Sequence, residues 1–387
     1  MAINYAGLFG GNTLRRITED TEKRLKQMNL WNKDKEWTPA LMRRLGREDF
    51  REFSFEQVAY SVKKMAKSRM TALMNEYALS LHSLPHIKDA FEYAALFQQR
   101  DILHQLIERY HDDECLVEWV HVYRLLLRVL EDPFTYEEII DEARHLDVNV
   151  KEPVLKIRLK ILAANAYDQM GSIRESSLLL ERLVDDLWKI ETGYTKSVLA
   201  SRTLLLVGNY YLYGEGDVEN AEKNYLAVTV NESTPEAAKV APNHGLGLIM
   251  MCKGDRLQCA YYFQEAIRIA KETGQYAYQE CLERQYYPFA RSILGETVSV
   301  EGITLEEQAH QYIVRGEREK ALRLIGELEV SVKSDPHLTW YKGMATGKKE
   351  LLWSALGQFK EKSYAHLVML IQQQLESPTT NLGGEVK

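Results

Sequence analysis

The chain has 387 residues, of which 45% are hydrophobic and 27% charged, enough to build a buried core and to exclude a disordered polymer. No run of about 18 apolar residues occurs, so no membrane-spanning helix is predicted. The net charge of −7 hides a segregation: residues 1–74 hold 15 Lys/Arg against 9 Asp/Glu, and the rest is acidic, which points the first fifth of the chain at a polyanion.

At the N-terminus, MAINYAGLFGGNTLRR places its basic residues after a short apolar patch, the reverse of a secretory signal. LRRITEDTEKRLKQMNLW then reads as one amphipathic helix. In KDKEWTPALMRRLGRED, Thr38 suits an N-cap and Pro39 the first helical position. The short helix 39–46 presents Arg43 and Arg44, with Arg47 just past its end and Lys33 and Lys35 before its start. Ser54 is a second cap, opening FEQVAYSVKKMAKS. Short helices with a capped basic one in the middle suit a helix-turn-helix DNA reader. Lys35, Arg44 and Arg47 would hold phosphates, while Thr38 and Arg43 reach base edges. A basic surface helix of an ordinary soluble domain fits the same residues.

Beyond this segment, apolar residues recur at spacings of three and four, as in VYRLLLRVL, IRLKILAANAY and ALRLIGELEV, and only 9 prolines occur. Helices of about 10–16 residues follow, separated by turn signals at Gly171, Gly214-Glu215-Gly216, Gly254, Gly316 and Gly347. Residues 76–147 read as degenerate helical hairpins. From there the pattern sharpens. Positions 12, 16 and 19 after Ala164 are Ser176, Leu180 and Leu183; after Gly247 they are Cys259, Phe263 and Ala266. Ala309 leads to Ala321, Ile325 and Leu328, and Gly343 to Ala355, Phe359 and a departing Lys362. Gly208 needs one extra turn residue before Ala221, Tyr225 and Val228.

This pattern resembles the tetratricopeptide repeat, in which small residues let two helices approach and a large one fills the gap. The anchors Ala309 and Gly343 are 34 residues apart, the standard period, while earlier spacings stretch to 44, 39 and 62. The fold expected is all-α: a helix-turn-helix over residues 1–74, then a right-handed tetratricopeptide-like superhelix over 75–387. Positions just after each anchor face its concave side. They are Asn165, Asn209 and His310, with Arg202, Tyr213, Asp168 and His244 nearby. An asparagine amide both donates and accepts, which matches an extended peptide backbone. Each asparagine also fits a helix-surface residue bonded to water or to a neighbouring helix.

No HExxH, Walker, GxSxG or GxGxxG motif is present, and the ten histidines are scattered, His82, His86 and His104 included. Asp112-Asp113 and Asp185-Asp186 read as solvated helix ends. The four cysteines, Cys115, Cys252, Cys259 and Cys281, form no CxxC pair and read as buried reduced thiols on helices, ahead of disulfides or metal. Neither catalysis, a cofactor nor a metal is expected.

A basic helix-turn-helix followed by degenerate and then regular hairpins is similar to the peptide-sensing regulators of Gram-positive bacteria. Within these, the chain resembles the AimR-like arbitrium receptors of temperate phages. The likeness runs through NEYALSLHSLPHIKDAFEYAALFQQRDILHQLIE, VYRLLLRVLEDPFTYEEIIDEARHLDVNVKEPVLKIRLKILAANAYD and HLTWYKGMATGKKELLWSALGQFKEKS. It implies a cytoplasmic homodimer that binds promoter DNA and loses its activating function when a peptide of about six residues occupies the groove, favouring lysogeny. In the family motif SNIYLN the first asparagine contacts the peptide; GNYYLY places Asn209 there and Tyr213 at the second asparagine. The family arginine falls at Lys239, the glutamate at Glu307 and the terminal aspartate at Tyr364. Two other classes share the repeats: an adaptor for a partner protein, and a peptide-regulated response-regulator phosphatase with an N-terminal three-helix bundle. The basic helix argues for DNA.

Overall fold

The computed structural model describes residues 37–47, 53–331 and 335–376, and among them every regular element is helical. The N-terminal helix expected over LRRITEDTEKRLKQMNLW, and with it Lys33 and Lys35, lies outside these residues. The chain divides into two compact units, one running to Leu206 and including Val230–Pro235, the other formed by Val207–Thr229 and the chain from Glu236 onward.

The first unit begins with α1 (Pro39–Arg47), α2 (Phe55–Met65) and α3 (Met70–Ala78). Thr38 caps α1, its Oγ1 accepting from the Leu41 amide at 3.2 Å. Ser54 and Gln57 close a capping box on α2, which satisfies two amides that helix geometry leaves without partners. α1 packs on α3, and a Cβ at Gly46 would lie 2.7 Å from the Cβ of Ser80, so this approach needs glycine.

Two hairpins follow, α4 (Leu84–Leu96) with α5 (Arg100–Tyr110) and α6 (Val117–Glu131) with α7 (Tyr136–Asn149), as the degenerate repeats led one to expect. α8 (Pro153–Gln169) packs on α7 and on α9 (Ile173–Lys189). At 17 residues, α8 and α9 are longer than their turn signals suggested. One continuous core runs from Trp37 through to Tyr194 and Val198. Phe55, fully buried, holds its centre, with ring centroids 5.6 Å from Tyr77, 5.9 Å from Tyr93 and 4.8 Å from Tyr194. Burial of one such ring stabilises by about 1.5–3 kcal/mol. The N-terminal helices and the first hairpins therefore share an interior.

α10 (Tyr194–Asn209) crosses the boundary of the units, as does α11 (Val218–Val230). Between them Tyr210–Glu215 form a π turn that ends on Gly216 at φ 72°, a left-handed conformation that suits glycine. The π turn supplies the extra residue that the spacing after Gly208 required.

The second unit continues with α12 (Val240–Lys253) and α13 (Arg256–Glu272). After them come α14 (Tyr276–Cys281), a π turn over Leu282–Tyr286 and α15 (Tyr287–Ile293). Two regular hairpins follow, α16 (Leu305–Val314) with α17 (Arg318–Ser331) and α18 (Pro336–Thr346) with α19 (Lys349–Glu361). Gly247 admits Phe263, whose ring would stand 2.6 Å from a Cβ there. Ala309, Ala321 and Ile325 are fully buried, as are Ala355 and Phe359. Hydrogen bonds repeat the period: His244 to Tyr278, Glu307 to Tyr341 and Trp340 to Gln374 each link residues 34 apart.

The last helix, α20 (Ala365–Glu376), packs on α19 and on the π turn at 210–215. The cysteines depart from expectation in placement. All are free, but only Cys259 is buried; Cys115 and Cys281 are exposed, and Cys115 sits in the turn before α6. There the Asp113 carboxylate accepts its amide at 2.8 Å, a local turn bond of the kind aspartate favours.

Candidate functional site

In the second unit, Gly208 and Gly245 press on opposite edges of one ring. A Cβ at Gly208 would lie 2.6 Å from Cε1 of Tyr225, and one at Gly245 would lie 2.4 Å from Cε2. No other residue fits either place without moving the ring. The Tyr225 hydroxyl, at the far end of this slot, donates to Asn209 Oδ1 at 2.8 Å. Asn209 is half-buried and is the last α-helical residue before the π turn. The small anchor, the aromatic filler and the asparagine are therefore one device, in which the filler reaches across the helix pair and orients the amide.

Histidines and tyrosines gather along the same unit. Tyr213 lies edge-on to His366, with ring centroids 5.1 Å apart, and His366 is edge-on to Tyr364 at 6.3 Å. His244 shares a 3.0 Å hydrogen bond with the Tyr278 hydroxyl and packs 4.5 Å from the Tyr286 ring. Burial pushes His244 down to about 4 and His366 to about 3, so both imidazoles are neutral near pH 7. His244 Nε2 and His366 Nδ1 are buried without a hydrogen-bond partner.

Glu307 and His310, expected on an inward face, are buried. The Glu307 carboxylate accepts from the Tyr341 hydroxyl at 2.8 Å and lies 3.3 Å from His310 Nδ1, whose ring stacks on Tyr341 at 4.4 Å. Lys239 ends a short 3-10 turn and pairs with Glu236 at 3.5 Å.

In the first unit, Arg202 stands beside the fully buried Glu92 carboxylate, with its Nε 3.5 Å from Oε1. Glu92 Oε2 accepts from the Tyr123 hydroxyl at 2.6 Å and from Arg158 Nε at 3.0 Å. Burial, and then the neighbouring Arg158, bring the Arg202 guanidinium down to about 10. Asn165 is exposed on α8, one residue past the buried Ala164.

On α1 the apolar residues Leu41, Met42 and Leu45 face the core, while Arg43, Arg44 and Arg47 are exposed. Arg43 is held by Glu76 of α3 at 2.8 Å, so the guanidinium expected at a base edge already has a carboxylate partner.

The AimR transcriptional regulator-like family matches residues 70–377. The chain belongs to that family. A solved structure of SeMet-phAimR is similar at 17% identity, with a TM-score of 0.66 over 96% of this chain and 98% of that one. The structure of phAimR-Ligand is similar at 18% identity, with a TM-score of 0.60 over 84% and 98%. These likenesses place the chain in the AimR fold. No curated protein sequence matches it significantly.

Several residues of this AimR-like chain escaped sequence reasoning. Tyr278 and Tyr341 lie one 34-residue period past His244 and Glu307, so a search for polar pairs at the repeat spacing would have found them. Glu92 carried no such signal. Its partners Tyr123, Arg158 and Arg202 come from three other helices at unrelated separations.

Proposed function

We propose that this chain is a peptide-responsive transcriptional regulator of the phage lysis–lysogeny decision, acting in the cytoplasm of the bacterial host. It binds double-stranded promoter DNA as a homodimer through residues 1–74, and a communication peptide of about six residues, held by the first helices of the repeats, abolishes its activation. The observation that carries this reading is family membership across residues 70–377. The solved phAimR-Ligand structure, of the same fold, supports a ligand-binding role.

Asn209 is the residue we assign to the peptide backbone. Tyr225 holds its amide in one orientation, and a pre-oriented donor–acceptor pair binds with less loss of side-chain entropy. Tyr213, His244 and Tyr364 would set side-chain preference. Arg202, Lys239, Glu307, His310 and Asn165 are carried as further peptide residues by sequence position. Arg44 and Arg47, with Lys35, would face the phosphates, and Thr38 and Arg43 the base edges, with Thr38 at the head of their helix.

The C-terminal hairpins, with the apolar stretches LLWSALGQF and AHLVMLIQQQL, would hold the dimer; in α20 Leu367, Val368, Leu370 and Ile371 are buried within their own unit. The exposed Trp353 of α19, 59% accessible, is the better candidate for the dimer surface. A gel-shift assay on the DNA upstream of its own gene, with and without the peptide encoded beside that gene, tests the whole reading. Retardation that the peptide reverses is expected; a protein that never retards this DNA would overturn it.

A further inference from the structure

A cavity of about 810 Å³ opens in the first unit where α8 and α10 begin, and among the described residues six lysines line it. Three of them face carboxylates. Lys88 pairs with Glu152 at 2.7 Å, and Asp186 takes both Lys160 at 3.0 Å and Lys189 at 2.8 Å. The acidic lining is largely occupied by the protein itself. Glu152 also accepts from Trp119 Nε1 at 2.6 Å, and Asp89 accepts from the Thr195 amide and hydroxyl at 3.2 and 2.6 Å. That leaves Lys151, Lys156 and Lys196 without a carboxylate within ion-pair distance among the described residues, against one exposed carboxylate, Glu191.

Lys196 is the informative one. It is 5% accessible, yet its ammonium has only neutral partners, the Ile190 carbonyl at 2.9 Å and the Trp188 ring at 5.6 Å. Covering an ammonium without an anion is costly, and burial lowers its pKa accordingly. An anion in the cavity would relieve that cost. The starts of α8 and α10 on the same wall add the positive ends of two helix dipoles. Among the described residues no arginine is in the lining, so recognition here is by point charges, which suit a multiply charged phosphate chain better than one bidentate carboxylate. Pro85, Val154 and Ile157 supply an apolar side, and the volume falls in the range of sites for small organic ligands.

We propose that this cavity binds a small polyphosphate-bearing anion, of the size and charge of a nucleoside di- or triphosphate, separately from the peptide.

Calorimetry on the full chain at 150 mM salt, with tripolyphosphate and ATP as probes, tests it. Saturable one-to-one binding is expected, weakened at least tenfold in Lys196→Met and in the paired variant Lys151→Gln with Lys156→Gln. The paired variant changes the exposed Lys151 and the half-buried Lys156, neither of them in the core, and keeps the fold even if Lys196→Met does not. Lys223→Gln, an exposed lysine of the other unit, should bind as wild type. Absence of saturable binding up to millimolar probe would overturn the proposal, as would equal affinity in the paired variant. A DNA duplex whose binding depends on Lys151 and Lys156 while the small probes ignore them would also overturn it, by making the cavity rim a DNA contact.

Discussion

The Tyr225 hydroxyl donates to Asn209 Oδ1 across 2.8 Å, joining the filler of one repeat to the amide that follows its anchor glycine. On the proposed function this amide meets the peptide. Asn209→Ala should weaken peptide affinity about ten- to a hundred-fold, the loss expected when a partly dry polar contact of about 1–3 kcal/mol goes unmade, while DNA binding persists. Tyr225→Phe keeps the amide but removes its orienting hydroxyl, so its loss should be smaller. Unchanged peptide affinity in Asn209→Ala would make the residue a packing element.

Close approach is the second feature open to test. A Cβ at Gly208 or Gly245 would fall 2.6 or 2.4 Å from the Tyr225 ring. Gly208→Ala should therefore destabilise the protein by about 1–3 kcal/mol, the usual cost of overpacking a core. Tyr225→Leu in the same chain should recover part of it. Urea denaturation measures both, and additivity of the two changes would exclude the clash.

The basic helix predicts steep salt dependence, since each neutralised phosphate releases roughly 0.9 counterions. Replacing Arg43, Arg44 and Arg47 together by Ala should abolish most operator binding with little change in helical content. Glu76→Gln removes the carboxylate that holds Arg43 at 2.8 Å and should tighten DNA binding. A triple variant that binds as tightly as wild type would remove α1 from the interface.

Acid should destabilise the protein through His244 and His366. Burial lowers both, to about 4 and about 3, with His337 and His244 adding to the effect on His366. Below the ordinary value of 6.5, the unfolded chain takes up protons that the folded one refuses, so their contribution is complete above pH 6.5 and is lost as pH falls toward 3. His366→Phe keeps the ring packing on Tyr213 and should flatten the acid limb of melting temperature against pH. An identical limb in the variant would show that His366 titrates normally.

Trp353 carries the dimer prediction. Its indole is 59% exposed, and tryptophan is among the residues enriched at protein interfaces. Trp353→Asp should give monomers in light scattering at micromolar concentration and leave the melting temperature within a few degrees of wild type. A dimer that survives the change would place the two-fold contact elsewhere.

Much of this protein was legible in its sequence because the determinants are local. Turn glycines at 171, 216, 254, 316 and 347 all adopt positive φ, as residues without a Cβ do cheaply where helices end. The anchors Gly208 and Gly247 announced their aromatic fillers by spacing alone, and Thr38 and Ser54 announced their helices by capping chemistry.

What only the tertiary structure decided is which partner each polar group meets. Asn209 fitted an inward-facing amide or one bonded to a neighbouring helix, and only the structure shows that Tyr225 of α11 holds it. Arg43 looked ready for DNA until Glu76 was seen to pair with it. The six lysines of the cavity come from separate segments between Lys88 and Lys196, with no spacing rule to connect them. Helix periodicity fixes which face a residue occupies, but a hydrogen bond or ion pair depends on distances of a few ångströms between helices, and those are set by how all the side chains pack at once.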